Sequence, residues 1–511
     1  MANTTGPKTQ ETKKTPFKEI VQPFLDLLDA PRALWGINLS YLLEGMAYFG
    51  ILGYLAIHFS DHIFLKDTYF VALLLRDPDR FAQFFFMEPD IWSHRMVLVL
   101  TAGITISMFF LGTLADRYGI RKTLIASFVC LFVGRLLISG APGLFAPAGL
   151  WSPLHMMTMA GILAVVIGYG MYQPAAYAGV RKFTSNKTSA MGFAMLYALM
   201  NMGGYIPTFA FLLRDEQFAG IGITGVFWVY TCVTLASLFA TAVILTGVVE
   251  KKAIERAKRE RELEAAEAAT AQSESEAPQA EDTREAMSEA AAAPPRGLPA
   301  RMAHWLKHHP LGDLRFTFFI FALIPVQTLY TYNWLVLPQY ISRAYTGWVG
   351  DKFEIAANFN PLLIFIFVPI VTALTQKKKV YNMMITGTFI MAAPAFLLAL
   401  GTNAYLLFGY LLLMTIGEAL WQPRFFQYAV EIAPEGRTGE YMGVAQLPWF
   451  LTKVIAPLYT GHMMATYCPA DPPRDPETMW LIFGSIALIS PALLVIAKGW
   501  LSKNFRPRSA S

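Results

Sequence analysis

Three ionisable side chains stand deep inside long apolar runs: Glu44, Glu418 and Lys453. A charge near the centre of a bilayer costs about 2.5–3.5 kcal/mol on insertion scales, so such residues normally face a bundle interior or a cavity. A carboxylate there can take up a proton or hold an ammonium group. Glu418 therefore reads either as a site for an amine or a proton, or as a structural partner of Lys453 or Arg424. Glu44 reads as a proton carrier or as one end of a fixed interhelical hydrogen bond. Lys453 either pairs with Glu418 or offers its charge to the carboxylate of a solute. Asn201, Gln173, Gln422, Tyr48, Tyr172, Tyr332, Asn333 and Trp421 stand in the same runs. Singly, each is more often an interhelical contact; together they suit a polar, aromatic-lined chamber.

The composition says what must position these residues. Of the 511 residues, 55% are hydrophobic and 15% charged, against about 25% charged in soluble globular chains. Residues Lys251 to Arg296 hold 8 basic and 11 acidic side chains, and the rest of the chain carries a net charge of +8. Such a chain belongs in a bilayer, which argues against nucleic-acid binding and against a soluble cofactor enzyme. Cys130, Cys232 and Cys468 are widely spaced, and His58, His62, His94, His155 and His462 are scattered without metal-ligand spacing. No metal or other cofactor is expected. The polar, lysine-bearing start has no cleavable leader pattern, so the first apolar segment is expected to serve as an uncleaved insertion signal.

About 20 apolar residues cross a bilayer core, and twelve spans meet that rule: 33–59, 95–115, 120–140, 155–180, 191–213, 222–248, 314–344, 358–376, 380–400, 405–432, 440–466 and 480–501. The short loops on the side of the termini carry 18 Lys and Arg residues, and those on the other side carry six. The positive-inside rule then puts both termini in the cytoplasm, most simply of a bacterial inner membrane. The chain divides into a tail (1–32), a six-helix bundle (33–249), a linker (250–313), a second six-helix bundle (314–501) and a tail (502–511). The linker begins as a charged extension of the sixth span and continues as a stretch rich in Ala, Glu, Ser and Pro that is expected to be disordered. Residues 69–92 are expected to form an amphipathic helix on the outer surface.

Internal repetition supports two copies of one unit. Gly168, Tyr172, Gln173 and Pro174 of the fourth span match Gly417, Trp421, Gln422 and Pro423 of the tenth at an offset of 249, and Pro207 has a counterpart in Pro457. Gly203, Gly204, Pro423, Pro448 and Pro457 are candidate places for bends or close helix packing.

Between the second and third spans stand Gly112, Asp116, Arg117, Gly119, Arg121 and Lys122. This segment resembles the signature of the major facilitator superfamily, G-x-x-x-D-R-x-G-x-[RK]-[RK], in its usual position. The resemblance implies an all-α integral membrane fold of twelve helices in two six-helix bundles. It also implies a conformational latch at Gly112, Asp116, Arg117, Gly119 and Arg121. In that fold the first, fourth, seventh and tenth helices line the cavity. The third is peripheral, which makes Arg135 a structural residue.

Further segments resemble the proton-coupled oligopeptide transporters within that superfamily. Glu44, Tyr48, Phe49 and Gly50 are similar to E-R-F-x-Y-Y-G, and Leu196, Tyr197, Asn201 and Gly203 to F-Y-x-x-I-N-x-G. Asn360, Pro361 and Leu362 are similar to N-P-L; Thr415 to Glu418 are similar to T-I-G-E, followed by Ala433-Pro434 and Met442-Gly443. The family's E-x-x-E-R is altered, with Tyr41 and Gly45 in place of the first acid and the arginine, and Gln173 stands where a lysine belongs. With its neighbouring arginine gone, Glu44 is expected to favour the neutral form and exchange a proton. The resemblance implies a secondary transporter that moves a peptide-like or amine-bearing solute by alternating access with protons. Glu44 and Glu418 are its coupling acids, and Glu418, Asn201, Gln173, Tyr48, Tyr332, Asn333, Trp421 and Lys453 its binding residues. The alternatives are an exporter or facilitator of amphiphilic compounds, and a membrane enzyme or sensor on a transporter scaffold.

Overall fold

The computed structural model describes residues 31–64, 89–147, 149–273, 310–375, 378–432, 441 and 444–501. Among these residues there is helix and no strand. The first six spans are α1 (Arg32–His58), α2 (Pro89–Leu111), α3 (Ile120–Leu144), α4 (Pro153–Phe183), α5 (Asn186–Tyr205) and α6 (Gly222–Ile244). The last six are α7 (Leu314–Ala322, Ile324–Leu335 and Leu337–Ala344), α8 (Phe359–Thr375), α9 (Val380–Ala392, then Ala395–Leu398), α10 (Ala404–Ile432), α11 (Leu447–Tyr467) and α12 (Pro476–Ile496). Nine of the described helices are apolar over at least 18 residues, which at 1.5 Å per residue approaches the thickness of a hydrocarbon core. With the shorter apolar segments, the described residues form the twelve spans of an integral membrane protein.

Three local differences from the sequence reading stand out. The second span already includes Pro89 to His94, the six residues ahead of its expected start. The sixth span stops at Ile244, and the charged stretch after it is a separate helix, Gly247–Ser273, rather than an extension. The seventh is broken twice, before segments that carry Pro325 and Pro338 near their starts, since proline has no N–H to continue the ladder. Of the expected surface helix at 69–92, only residues 89–92 are described, and they form the first turn of α2. The rest of it, residues 1–30 and 502–511 of the tails, the linker beyond Ser273 as far as residue 309, Ala433-Pro434 and Met442-Gly443 lie outside the described residues.

Helix pairings repeat between the halves. In the first half α1 packs on α5 and α6, α3 on α4 and α6, and α2 on α4; in the second, α7 packs on α11 and α12, α9 on α10 and α12, and α8 on α10. Across the halves, α2 meets α11 and α5 meets α8. α1 and α5 come together backbone to backbone. A β-carbon at Gly203 would collide with the carbonyl of Leu42, and one at Gly45 would stand 3.0 Å from Met200 O.

The face at which α1 begins and α12 ends is here the near face, the opposite one the far face. On the near face, the short helix Leu114–Tyr118 leads to Gly119, whose φ of +88° favours glycine. Gly119 has no side chain to cap α3. The cap comes from the helix Gly247–Ser273, where Glu250 Oε1 accepts hydrogen bonds from the amides of Ile120 (2.9 Å) and Arg121 (3.4 Å). Two and three turns further along, Ala257 is buried and Arg261 donates to the carbonyls of Arg181 and Thr184 at the end of α4. One charged helix thus terminates two membrane helices.

Candidate functional site

Glu44 has an arginine after all, supplied by α3. Nη1 of Arg135 donates to Glu44 Oε2 at 2.9 Å, and Nη2 donates to Oε1. The Tyr169 hydroxyl of α4 also donates to Oε1, and Arg135 reaches Thr234 of α6. Glu44 is 0% and Arg135 2% exposed, so the pair is sealed within four helices of the first half. This corrects the expectation that Glu44 lacks a basic neighbour, and the arginine that supplies it is Arg135, which was expected to be structural. The change follows from packing. With α5 pressed against Gly45, an arginine side chain at that position would meet the α5 backbone, and the balancing charge enters from another helix.

The second half is arranged differently. Glu418 is 2% exposed, and among the described residues its carboxylate accepts one hydrogen bond, from the Asn360 amide at 2.9 Å. Asn360 also donates to Thr415 Oγ1 at 2.9 Å. Glu418 lines a cavity whose walls come from α7, α9, α10 and α11, and Lys453 of α11 lines the same cavity. Among the described residues the ammonium of Lys453 has no hydrogen-bonding or ionic partner. The two charges therefore face one space without the direct pair that was one of the expected readings. Nε2 of Gln327 is buried there without a partner, while its Oε1 accepts from Thr452 at 3.4 Å. Trp421 and Trp449, stacked with centroids 6.2 Å apart, form an aromatic wall, and Gln422 completes it. An ammonium group and a carboxylate are the complementary ligands for such walls.

Several expected binding residues lie elsewhere. Tyr332 is fully buried, with its hydroxyl on that of Tyr459 and its ring stacked on Phe483. Asn333 lines a different cavity nearer the far face. Tyr48 packs edge-on to Tyr169, beside the Arg135 pair, and Tyr172 stacks on Tyr41. Gln173 is half-buried on α4 and Asn201 on α5; neither lines the Glu418 cavity. The α7 residues that do are Gln327, Tyr330 and Thr331, which the sequence reading missed. Their i, i+3, i+4 spacing is one helical face, a signal that was available. Of the latch residues, Gly112 packs against Pro174, Arg117 is exposed and Arg121 is half-buried. The side chain of Asp116 lies outside the described residues. Among the described residues no group of three His, Cys, Asp or Glu is arranged to hold a metal ion.

Polar contacts tie the halves together toward the far face. Arg343 of α7 holds Asp90 of α2 through two bonds of 2.7 and 2.8 Å. His94 of α2 bridges Gln339 of α7 at 2.9 Å and Thr460 of α11 at 2.7 Å. Glu354, just before α8, accepts from Tyr54 of α1 and, at 2.8 Å, from Arg214, the last residue of the short helix Phe211–Arg214 that follows α5.

Residues 91–457 match the family model described as Major Facilitator Superfamily. No curated protein matches the chain in sequence. Among solved structures, one of a peptide transporter POT in complex with sulfate is 15% identical, with a TM-score of 0.62 over 93% of this chain and 95% of that one. A POT family transporter in complex with 5-aminolevulinic acid is 14% identical, with a TM-score of 0.61 over 93% and 97%. Another, in complex with a thioalcohol conjugated peptide, is 15% identical with the same score over 93% and 97%. At these identities the likeness is one of fold.

Proposed function

The chain belongs to the major facilitator superfamily of membrane transporters, and on that premise we propose that it is a secondary active transporter for a small amine-bearing or peptide-like solute. The solute's ammonium group docks on Glu418, and a carboxylate, where it has one, lies toward Lys453. The observation that carries this reading is a buried acid with one neutral partner, facing an unpaired lysine across a cavity. The neighbouring structures named for peptide transport and for a bound amino acid favour the same solute class.

Transport runs by rocking of the two six-helix sets about this site, and protons supply the drive. Glu418 is the better candidate for the coupling proton, because Glu44 is already neutralised by Arg135. Glu44 would join the coupling only if the pair opened during the cycle. The bias of Lys and Arg toward the near face favours placing that face in the cytoplasm of an inner membrane. In this conformation the polar contacts at the far face close that side. The loop of Gly112, Asp116, Arg117, Gly119 and Arg121 then acts as the near-face latch, held in place by Glu250. Export along the same path is the second reading, favoured by the stacked tryptophans of the cavity, which suit an amphiphilic solute.

Reconstituted protein tests this directly. With an inward proton gradient, proteoliposomes should accumulate an amine-bearing probe such as dialanine, and Glu418→Ala should abolish its binding. The reading is overturned if no amine-bearing compound binds or moves in either direction, with or without the gradient.

A further inference from the structure

Next to the contact of Tyr54, Glu354 and Arg214, a second cavity opens between the halves. It is bounded by Gly53 and Tyr54 of α1, Asn333 and Trp334 of α7, and Phe353 and Glu354 ahead of α8. Three buried polar atoms of these walls have no partner among the described residues: Nδ2 and Oδ1 of Asn333, which is 6% exposed, and Oε2 of Glu354, which is 2% exposed. A buried polar group left without a partner is costly to keep. Three on one small cavity mark a place that receives something able to hydrogen-bond.

The chemistry of the walls narrows what that is. Arg214 is shared between two carboxylates, Glu354 at 2.8 Å and Asp215 at 2.9 Å, so the cluster keeps an excess negative charge. Lys352, two residues from Glu354 in the chain, has its ammonium 5.1 Å from the Phe211 ring centroid. Glu354 Oε2 and Asn333 Oδ1 are acceptors for the three N–H groups of a primary ammonium, and the rings of Tyr54, Trp334 and Phe353 suit its charge. A bare metal cation would find two oxygens where about six are needed. Space is available at Gly53, where a β-carbon would meet no atom within 4 Å.

We propose that this cavity is a second binding site, taking the primary ammonium group of a solute between the far face and Glu418. Its place on the transport path rests on the reading given above, whereas binding itself does not. Glu354 holds the far face closed through one oxygen and receives the amine with the other. A solute leaving or entering by that face is therefore handed between two carboxylates.

Calorimetric titration of the purified full-length protein with phenethylamine provides the test. The wild type should bind two equivalents, and Glu418→Gln should retain one. Adding Asn333→Leu to Glu418→Gln should weaken that remaining equivalent at least tenfold. Asn333→Leu leaves the contact of Tyr54, Glu354 and Arg214 intact, so it stays informative even if Glu354→Gln fails to fold. Gly53→Leu should block the same equivalent by filling the space. The proposal is overturned if Glu418→Gln binds no equivalent, or if Asn333→Leu leaves the remaining one unchanged, as it would were the cavity filled by water alone. A stabilisation by sodium without amine that Glu354→Gln removes would overturn the choice of ligand. Loss of binding with Asn333→Leu but not with Glu418→Gln would instead sink the central site and leave this one standing.

Discussion

The two halves share their helix pairings, yet each treats its buried acid differently. Glu44 has both oxygens on one guanidinium and a tyrosine hydroxyl besides. Glu418 has one neutral amide, and Lys453, on the wall of the same cavity, is unpaired among the described residues. An acid that is fully paired is a structural group, because removing its partner strands a charge in a medium that cannot solvate it. An acid left short of partners is one that a solute or a proton can complete. The two halves thus share a scaffold and differ in how the acid that each buries is paired.

The largest effect should come from breaking the closed pair. Arg135→Met should destabilise the protein by about 3–5 kcal/mol, seen as a lowered melting temperature in detergent, and adding Glu44→Gln should restore most of the loss. If Arg135→Met melts like the wild type, Glu44 is not held as an ion and the contrast between the halves collapses. Next, Glu418→Gln should reduce affinity for an amine-bearing probe by at least about 30-fold, in line with about 2–5 kcal/mol for truncating a buried charge contact, with little change in melting temperature. A large loss of stability there would show that Glu418 too is structural. Lys453→Met should leave stability unchanged or slightly higher, since no partner is lost, while lowering affinity for a probe with a free carboxylate about tenfold and sparing its amide. Equal losses for both probes would remove Lys453 from solute recognition. The smallest effect should follow Asp90→Asn. Arg343 bonds to both Asp90 and the carbonyl of buried Cys468. Loosening that corner should speed alkylation of Cys468 by a membrane-impermeant maleimide a few-fold, and an unchanged rate would show that the far face is held by other contacts.

The acids and the lysine could be read from the sequence because a charge in an apolar run is expensive wherever it points. Their partners could not, because partnership depends on which way each helix is turned. A lone arginine in the third span costs as much to bury as the lone acid in the first. That symmetry of cost was the available hint that Arg135 and Glu44 belong together. On α7 the difficulty was phase. Tyr332 and Asn333 share the unbroken segment Ile324–Leu335 with Gln327, Tyr330 and Thr331, and polarity alone does not say which face of that segment is turned to the cavity. The face that meets Glu418 belongs to Gln327, Tyr330 and Thr331. The Major Facilitator fold was legible from the loop at Gly112 to Lys122, where several residue types must coincide at fixed spacing. The glycine contact of α1 with α5 was not, since nothing in the string Glu44-Gly45 says that a β-carbon there would stand 3.0 Å from the carbonyl oxygen of Met200.

The cap on α3 also sets an order of assembly. Glu250 is 130 residues downstream of the amide it receives, and at about 5–20 residues per second the ribosome takes roughly 6–26 s to make the intervening chain. Until then α3 begins at a glycine with its first amides open, and six membrane helices must be inserted before the start of the third is finished. The first half is therefore completed from its far end backward, and a defect at Glu250 should appear as slow maturation of that half rather than as failed insertion of α3.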